Sequence, residues 1–370
     1  MQRIYPSIQP YAWGSHTFLA RLQGRPAPTA QPEAELWIGA HPSAPATLAG
    51  GRRLDEAIAA GPVTALGERS VQRFGPQLPY LLKVLAAEQP LSLQAHPDKA
   101  TAHAAFAGGH PSYVDGNHKP ELLVALTEFD ALCGFRPPQT SAEYLASLGI
   151  PALRPVVDRL RDGDLRKAVE ALYGWSQRER EQIVPQVAAA ERDAGGGVAA
   201  TLAGFYPDDV GVVAALLLNH VTLQPGEAIW MPAGNLHAYI RGAGVEIMAA
   251  SDNVLRGGLT PKHVDVAELM RILAFEPLLD PVRRPVSEQD GVQTWPVPVD
   301  DFALRRITVD GTVRIGPPGG RTTLGVQGSV TVADREGSVE LKPGEAAFGN
   351  ASAGQLELTG AGVVYLASTQ

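Results

Sequence analysis

The pattern of apolar and polar positions divides the chain into a β-rich first part, a helical middle and a β-rich remainder. Residues 1 to about 133 alternate short apolar runs with glycine and proline, which is typical of strands and turns. From Ser141 to about Asp209, segments such as 153–172 and 177–192 carry apolar residues at helical spacing. Strand signals return at Leu223, a helix is predicted over 260–273, and the remainder is again strand and turn.

A short internal similarity predicts two β units. Residues 223–228 read LQPGEA and residues 341–346 read LKPGEA, and each segment follows a β-rich stretch. We interpret them as equivalent corners of two β-barrel or sandwich units. Continuing the alignment gives three pairs of equivalent positions, Pro232 with Asn350, Gly234 with Ser352, and His237 with Gln355. The second unit therefore lacks the histidine, and we expect it to be structural and metal-free.

Strict alternation over residues 91–96 predicts a strand with one polar and one apolar face. Ser92, Gln94 and His96 share the polar face, opposite the residues at 91, 93 and 95. This pattern suits a strand whose polar face lines the interior of a barrel and whose apolar face packs against another layer. Taken alone, the segment fits a half-exposed surface strand better. In a second segment, the charged residues Lys119 and Glu121 share one face at the start of the apolar run 122–126.

A third segment has the spacing of the second motif of the cupin barrels, G-x5-P-x-G-x2-H. Gly226, Pro232 and Gly234 shape a tight turn, after which His237 points into the barrel mouth, and Tyr239 shares its face. The segment departs from the usual motif at residue 241, an arginine where asparagine is common. The usual first motif, a His-x-His pair followed by glutamate, is absent.

The polar residues of these segments form a plausible metal-ligand set. It comprises two imidazoles, one carboxylate and one amide oxygen, from His96, His237, Glu121 and Gln94. Such a set suits a borderline ion such as zinc, with water or substrate completing the coordination. Because the ligands contribute only one negative charge, the loaded site stays positive and can polarise a carbonyl or hydroxyl group.

Composition and charge limit the kinds of binding partner that the protein can have. The net charge is −8 and no lysine- or arginine-rich run occurs, which argues against a nucleic-acid or acidic-membrane partner. The single cysteine, Cys133, excludes an internal disulfide and a thiolate zinc cluster, and we expect it to be buried. The first residues lack the apolar segment of a secretory signal, and no stretch is long enough to span a bilayer. We expect a cytoplasmic protein.

Six blocks of the sequence stand out, namely YAWG at 11–14, ELW with GAHP at 35–42, LSLQAHPD at 91–98, NHKPE at 117–121, PAGNLHAY at 232–239 and MAASDNVLRGGLTPK at 248–262. Together they resemble the type I mannose-6-phosphate isomerases, or phosphomannose isomerases, of the cupin superfamily. The blocks occur in the order of the family, whereas residues 271–370 carry little specific resemblance.

The resemblance implies a fold and a function. The expected fold is mainly β with an α-helical insert, with two cupin-like β-barrel (jelly-roll) units plus a helical domain. We expect a catalytic domain at 1–135 and 209–275, a helical insert at 136–208 and a C-terminal metal-free β domain at 276–370. The implied activity interconverts mannose 6-phosphate and fructose 6-phosphate through a cis-enediol, with one zinc ion per chain. The partner is a small sugar phosphate, and the chain is expected to be a monomer or weak homo-oligomer.

The resemblance also assigns roles to individual residues. The zinc ligands of the family fall on Gln94, His96, Glu121 and His237, and its active-site arginine falls on Arg256. Other pocket positions of the family fall on Ser92, His118, Lys119, Tyr239, Glu246, Asp252 and Lys262. We expect Ser92, Tyr239 and Lys262 to bind substrate, with Lys262 on the phosphate.

Aldose–ketose isomerisation needs a base near carbon 2 and cations for the oxyanion and phosphate. Arg256 suits the enediolate or phosphate because its planar fork matches oxyanions, and Gly257 and Gly258 let the backbone fold tightly behind it. The base stays open among Lys119, His118, Glu246 and Asp252, and the two acids can instead orient the cations by ion pairs. His41, His103 and His110 are expected to be surface or packing residues.

Two other classes of function remain as alternatives. A cupin-type metal oxygenase would use iron with two or three histidines, whereas Gln94 and the cations Arg256 and Lys262 favour an isomerase. A non-catalytic sugar-phosphate-binding protein would keep the cations but would not need the four metal ligands.

Overall fold

A computed structural model describes residues 1–316 and 319–369 of the chain. The strands of these ranges are β1 (Gln2–Tyr5), β2 (Ser7–Gln9), β3 (Glu35–Ile38), β4 (Thr47–Leu48), β5 (Tyr80–Ala87), β6 (Leu93–Ala95), β7 (Glu121–Ala125), β8 (Phe129–Phe135), β9 (Leu218–Leu223), β10 (Ala228–Met231), β11 (His237–Ala249), β12 (Leu255–Gly258), β13 (Val282–Arg283), β14 (Val286–Gln289), β15 (Val292–Thr294), β16 (Ala303–Ile315), β17 (Arg321–Asp334), β18 (Gly337–Leu341), β19 (Ala346–Gly349) and β20 (Leu356–Ser368). The α-helices are α1 (Phe18–Leu22), α2 (Leu54–Ala59), α3 (Pro62–Leu66), α4 (Glu68–Phe74), α5 (Lys99–Ala107), α6 (Pro138–Ser147), α7 (Arg154–Arg161), α8 (Leu165–Tyr173), α9 (Gln177–Asp193), α10 (Val198–Leu202), α11 (Gly211–Ala214) and α12 (Val266–Ile272). The expectation of a mainly β protein with helices is confirmed. None of the helices within these ranges combines the length and apolar character needed to cross a membrane.

The first sheet has eleven strands and is organised by the long strand β11. The second half of β11 lies between β5 and β7, and its first half lies between β6 and β8. Beyond these neighbours the sheet continues through β3 and β2, through β10 and β13, through β9 and through β12. One strand therefore carries residues to both halves of the sheet. The two barrels expected for the chain stay a prediction, since the strand pairing defines sheets and not closed barrels.

The second sheet has nine strands in the order β14-β15-β16-β20-β17-β19-β1-β4, with β18 on β17. Its β1 strand comes from the start of the sequence and pairs with β19, Gln2 opposite Phe348. In the other direction, β13 leaves the C-terminal part and pairs with β10 of the first sheet. A strand from each side of the boundary expected at residue 275 therefore pairs with the sheet formed mainly by the other side. Residues 317, 318 and 370 of the expected C-terminal unit lie outside the described residues.

The two repeated LxPGEA segments form the same turn. In the first, Gly226 has φ +90° and the Glu227 carboxylate accepts from the backbone N–H of Gln224 at 3.0 Å. In the second, Gly344 has φ +78° and Glu345 accepts from Lys342 at 2.8 Å. Each turn is followed by a four-residue strand and then by a thirteen-residue strand. The predicted equivalence of the two corners is confirmed at this local level.

Helices α6 to α11 lie between β8 and β9 in the chain and cover one face of the first sheet. Their apolar sides share a core with Leu93 and Ala95, the apolar face predicted for the 91–96 strand. The helical segment 153–172 is divided into α7 and α8, because Gly163 adopts φ +77° between them. The helix expected from residue 260 begins only at Val266, since Pro261 disfavours helical backbone in the residue before it.

A large apolar core joins the two sheets. Its members include Tyr80 and Trp230 from the first sheet with Phe302 and Tyr365 from the second. The rings of Trp230 and Phe302 meet with centroids 6.3 Å apart. Because Val84 and Val245 belong to this core, Lys83 and Glu246, which alternate with them along β5 and β11, lie on the other face of the sheet. Cys133 is fully buried on that other side, as expected.

Candidate active site and metal centre

Three buried side chains converge at the junction of the two halves of the first sheet. His96 follows β6, Glu121 opens β7 and His237 opens β11. The Nε2 atoms of His96 and His237 lie 3.4 and 3.3 Å from Glu121 Oε2. All three side chains are at least 95% buried, and their ligand atoms lie within 4.8 Å of one another. Strand pairing therefore assembles residues that are 25 to 141 positions apart in the sequence.

The backbone fixes the tautomer of both imidazoles. His96 Nδ1 lies 2.8 Å from the carbonyl oxygen of Asn253, and His237 Nδ1 lies 2.9 Å from that of Asn235. A carbonyl oxygen only accepts, so the ring proton is on Nδ1 and each Nε2 presents a lone pair. Neither buried Nε2 atom has a hydrogen-bond partner among the described residues. Two orphaned nitrogen lone pairs facing a carboxylate fit a divalent ion such as zinc.

The charge states of His96 and Glu121 also suit metal binding. Burial lowers the pKa of His96 to about 4, and the nearby positive charge of Lys119 acts in the same direction. Burial disfavours the charged form of Glu121, but Lys119 Nζ, 3.0 Å from Oε1, and the two imidazoles hold its pKa well below the ordinary value. His96 is therefore neutral and Glu121 is ionised, the protonation states in which these groups bind metals.

Gln94 and Arg256 adjoin this centre through strand register. Gln94 lies opposite His237 on one side and opposite Arg256 on the other. Directly opposed residues of antiparallel strands present their side chains on the same face. The predicted fourth ligand, Gln94, is thus next to the histidine and borders the open cleft. The sequence-predicted ligand set is brought to one location.

A cleft of about 550 Å³ opens above the three buried groups. Six of the predicted site residues line it, namely Ser92, Gln94, Lys119, Asp252, Arg256 and Lys262. These six residues contribute three cations, one amide, one carboxylate and the hydroxyl of Ser92. A cleft of this size and charge suits a small anionic ligand.

The loop carrying the two distal cations is tightly folded. Gly258 has φ +130°, and a Cβ there would lie 2.6 Å from Asp209 Oδ1. Leu259, which is not a glycine, has φ +53° and is buried at the cleft. The predicted need for conformational freedom behind Arg256 is confirmed at Gly258. The positive φ of Leu259 is a local strain, of the kind that concentrates at functional sites.

Besides the three buried residues of the candidate metal centre, three predicted site residues do not line the cleft. Tyr239 donates from its hydroxyl to Glu246 Oε1 at 2.7 Å, and Glu246 Oε2 lies 3.1 Å from Lys83 Nζ. Both residues are buried beneath the cleft floor. His118 Nε2 lies 3.1 Å from Asp301, which precedes β16 of the second sheet. The structure therefore places His118 against the C-terminal part and away from the cleft lining.

Some cleft residues were missed by sequence reasoning. Lys83 lies 3.5 Å from Glu35 as well as 3.1 Å from Glu246, and Trp37 Nε1 donates to Glu35 at 2.7 Å. The carboxylates of Glu35 and Glu246 raise the pKa of Lys83 against the effect of burial, so it stays an ammonium ion. One signal was available, a lone lysine inside the apolar strand YLLKVLAA.

His41 was also missed, since it was expected to be a surface or packing residue. It is 9% exposed, and its Nε2 lies 3.1 Å from the Asp252 carboxylate. His41 is thus a packing residue, as expected, since its ring lies against Trp37, but the same ring also contacts the cleft acid Asp252. His103, by contrast, is exposed.

Asp115 holds the turn that contains Asp252. Its carboxylate accepts from Ser251 Oγ at 2.9 Å, from the backbone N–H of Asp252 at 2.8 Å and from Asn253 Nδ2 at 3.1 Å. The carbonyl oxygen of Asn253 in turn accepts from His96 Nδ1. One carboxylate outside the cleft thereby fixes both a cleft acid and the orientation of a metal-centre histidine.

The sequence matches known proteins along almost its whole length. Residues 1–138 match the model of the phosphomannose isomerase type I catalytic domain. The chain is 38% identical to the mannose-6-phosphate isomerase of Salmonella typhimurium, with 98% of each chain covered. It is 34% identical to the bovine enzyme of that name, covering 94% of this chain and 93% of the other. The chain belongs to the type I phosphomannose isomerase family.

Solved structures of this family match the fold as well. A crystal structure of a single-residue mutant of phosphomannose isomerase from Salmonella typhimurium superposes with a TM-score of 0.92 at 36% identity. The apo form of mannose 6-phosphate isomerase from the same organism gives a TM-score of 0.90 at 35% identity. Both comparisons cover 100% of this chain and 99% of the other. The family likeness thus extends over residues 271–370, where the sequence blocks had given little indication of it.

Proposed function

We propose that the protein interconverts mannose 6-phosphate and fructose 6-phosphate with one zinc ion per chain. The observation that carries the proposal is the pair of partnerless Nε2 atoms, on His96 and His237, that face Glu121 beneath a cationic cleft. Gln94 supplies the fourth ligand through its amide oxygen. The names of the relatives, mannose-6-phosphate isomerases, support the choice of substrate.

The proposed reaction is redox-neutral. The aldose loses the proton on carbon 2 to a base while the oxygen of carbon 1 gains a proton, which gives a cis-enediol. A proton then returns to carbon 1 and the oxygen on carbon 2 loses its proton, which gives the ketose. A divalent ion held by the four ligands would supply a Lewis acid for the substrate oxygens.

Asp252 is our choice for the base among the four candidates. It lines the cleft, and within the part of the chain that the structure describes only Oδ2 of its two carboxylate oxygens pairs with another side chain, His41. Glu246 is committed to Lys83 and to a tyrosine hydroxyl beneath the floor. Proton transfer at Asp252 Oδ1 is therefore the simplest route. Lys119, whose Nζ lies 3.0 Å from Glu121, is the alternative at the cleft.

The remaining residues bind and orient the substrate. Arg256, paired with Gln94 across the sheet, would stabilise the negative charge that develops on the enediolate oxygens. Lys262, further along the same loop, would bind the phosphate as a point charge. Ser92 offers a hydroxyl to the sugar, whereas Tyr239 acts from below by holding Glu246. We assign no step to His118.

The test is the exchange of the carbon 2 proton of mannose 6-phosphate into deuterated water, together with a coupled assay for fructose 6-phosphate. Activity and exchange should disappear on chelation and return with zinc. His237→Ala and Gln94→Ala should lose the bound metal, as measured by elemental analysis. Gln355→Ala is the matched control, because Gln355 lies after the equivalent turn of the second unit and is exposed.

The same experiments separate the alternatives. A metal oxygenase would need iron and dioxygen, so zinc-supported activity under anaerobic conditions argues for the isomerase. A non-catalytic binding protein would bind the sugar phosphate without any exchange at carbon 2. Metal-loaded protein that binds mannose 6-phosphate but exchanges no proton would overturn the proposed function.

At the level of architecture, we propose two cupin-like jelly-roll units with the helical insert at 136–208. The repeated turn, followed each time by strands of four and thirteen residues, supports the two units. We propose a catalytic unit at 1–135 and 209–275 and a metal-free unit at 276–370, with β1 and β13 exchanged between them. A cytoplasmic location and a monomeric or weakly oligomeric state complete the proposal.

A further inference from the structure

His41 lies directly behind the carboxylate that we have assigned to proton transfer. The residue follows β3, is 9% exposed, and packs edge-on against Trp37 with ring centroids 4.7 Å apart at 70°. Its Nε2 lies 3.1 Å from Asp252 Oδ2. The Asp252 side chain is itself 53% exposed and borders the cleft. The buried imidazole of His41 therefore contacts a half-exposed carboxylate that borders the cleft.

The tautomer of His41 follows from its other nitrogen. The backbone N–H of Ser43 points to His41 Nδ1 at 3.3 Å, and the hydroxyl oxygen of the same serine lies 2.8 Å away. A backbone N–H only donates, so Nδ1 is the acceptor and the ring proton is on Nε2. That N–H points at Asp252 Oδ2. His96 and His237 have the opposite tautomer because carbonyl oxygens face their Nδ1 atoms.

The other groups around Asp252 leave one oxygen of its carboxylate open. Its backbone N–H is bound by Asp115. The hydrogen bond from His41 is the main cause that lowers the pKa of Asp252, with burial opposing it and the charges of Lys119 and Lys83 assisting. Tyr11, Glu35, Arg256 and Lys262 line the same cleft. Burial and the charge of Glu35 raise the pKa of Tyr11, and Asp252 adds to this effect. Within residues 1–316 and 319–369, no recorded hydrogen bond engages Asp252 Oδ1.

We propose that His41 is a positioning residue, which holds Asp252 Oδ2 so that Oδ1 faces the substrate. The proposal rests on the proposed isomerase function. The backbone of Ser43 orients the imidazole, the imidazole orients the carboxylate, and the carboxylate exchanges a proton with the sugar. His41 itself touches neither the substrate nor the metal ligands.

The test compares two substitutions at this position. His41→Phe keeps a ring against Trp37 but removes the donor, whereas His41→Gln keeps an N–H group near the former Nε2. Loss of a hydrogen bond to a charged group predicts a fall in kcat of about 10- to 100-fold in His41→Phe, with a smaller change in KM. The acid limb of the pH profile of kcat/KM should move to higher pH, because the pKa of Asp252 rises. His41→Gln should recover most of the lost kcat and should return the acid limb close to its original pH.

His220→Phe is the matched control. His220 Nε2 makes the same kind of contact with Asp130 Oδ1, at 2.9 Å, on strands outside the cleft. This substitution should leave the pH profile unchanged. If His41→Phe has the kcat and acid limb of the unsubstituted protein, or changes them no more than His220→Phe does, the proposal is overturned.

Nitrogen-15 NMR of histidine-labelled protein tests the geometry without an activity assay. The His41 ring should report protonation at Nε2, and Asp252→Asn should shift that signal. Protonation at Nδ1 would overturn the proposal even in an active enzyme. If the protein proves inactive on mannose 6-phosphate, the proposed function fails, and the NMR result still decides whether His41 holds Asp252.

Discussion

At the scale of single residues, hydrogen bonds with the backbone decide which ring nitrogen of each site histidine carries the proton. Carbonyl oxygens leave the Nε2 atoms of His96 and His237 as acceptors, whereas the N–H of Ser43 makes His41 Nε2 a donor. Three imidazoles with the same ordinary chemistry thus receive two different roles. The roles depend on main-chain groups that follow from local folding, not on the identity of the histidines alone.

The buried Lys83–Glu246 pair predicts a clear stability effect. Glu246→Ala leaves the Lys83 ammonium with only the more distant Glu35, so the free energy of unfolding should fall by about 3–5 kcal/mol. Glu246→Gln keeps an acceptor for Tyr239 and should cost less. Urea unfolding of metal-free protein measures the difference without a contribution from metal binding.

The control for this prediction removes all three charges of the cluster. Lys83→Met combined with Glu246→Leu and Glu35→Gln should be less destabilising than Glu246→Ala alone, because no unpaired charge remains among these three buried groups. An equal or larger loss in the triple variant would contradict the assignment of Glu246 as the partner of a buried cation.

Sequence reasoning worked at this scale where the relevant residues share a strand or a motif. Gln94 and His96 follow from alternation, and His237 follows from the spacing of a turn. Lys83 and His41 did not emerge, because their partners come from strands and turns far away in the sequence. Register between distant strands decides such contacts, and a local pattern carries no information about it.

At the scale of elements, short connections hold the site in place. The 251–253 turn carries a cleft acid and the carbonyl oxygen that orients His96, and Asp115 binds three groups of that turn. Helix α12 begins only after Asp265, which caps it, and the bend before it contributes the cleft cation Lys262. Loops and strand ends, rather than strand centres, therefore carry most of the chemistry.

Asp115→Ala should weaken metal retention without touching a ligand. Losing the hydrogen bonds to the 251–253 turn frees the Asn253 carbonyl, so His96 is less firmly oriented and zinc affinity should fall by about 10- to 100-fold. Competition with a chromogenic chelator measures this. Asp164→Ala removes a helix N-cap on α8 and should leave zinc affinity unchanged, which separates the turn from general destabilisation.

The pair formed by Asp130 on β8 and His220 on β9 predicts an acid-dependent contribution to stability. Burial raises the pKa of Asp130, but the hydrogen bond from His220 outweighs it, so the folded value lies below the ordinary 3.8. A depressed carboxyl pKa stabilises the folded state above the unfolded value and loses that effect as pH falls through the folded value. The pair is about one third exposed, so its contribution should be about 0.2–1 kcal/mol.

A double-mutant cycle with Asp130→Asn and His220→Ala measures that contribution. The coupling energy from urea unfolding should be smaller at about pH 2 than at about pH 6, because the carboxylate becomes protonated as the pH falls through its depressed pKa. A coupling energy that is the same at both pH values would contradict the ionised carboxylate as its source.

At the scale of the whole molecule, the two sheets behave as one structure. Their facing sides share an apolar core that includes Trp230 and Phe302, and β1 and β13 are exchanged between them. The alternation of β, α and β regions was predictable from the hydrophobic pattern. The exchange of strands was not, because β1 is too short to indicate which sheet it joins.

A fragment ending at residue 275 should therefore not fold as an independent unit. It would expose the apolar side of the first sheet, including Tyr80 and Trp230, and would leave β1 without β19. We expect an aggregated or molten product by circular dichroism and light scattering. Co-expression with the fragment 276–370 should restore solubility. A soluble fragment with sharp thermal unfolding would contradict a shared core.

The pairing of β1 with β19 also sets an order for events during protein synthesis. The strand that contains Gln2 has no partner until Phe348, 346 residues later, has been synthesised. At ordinary translation rates that interval is on the order of 20–70 s. The sheet that contains the metal centre can thus begin to form on the ribosome, while its junction with the second sheet closes only near the end of translation. Premature release of the nascent chain would leave an unpaired strand edge available for aggregation.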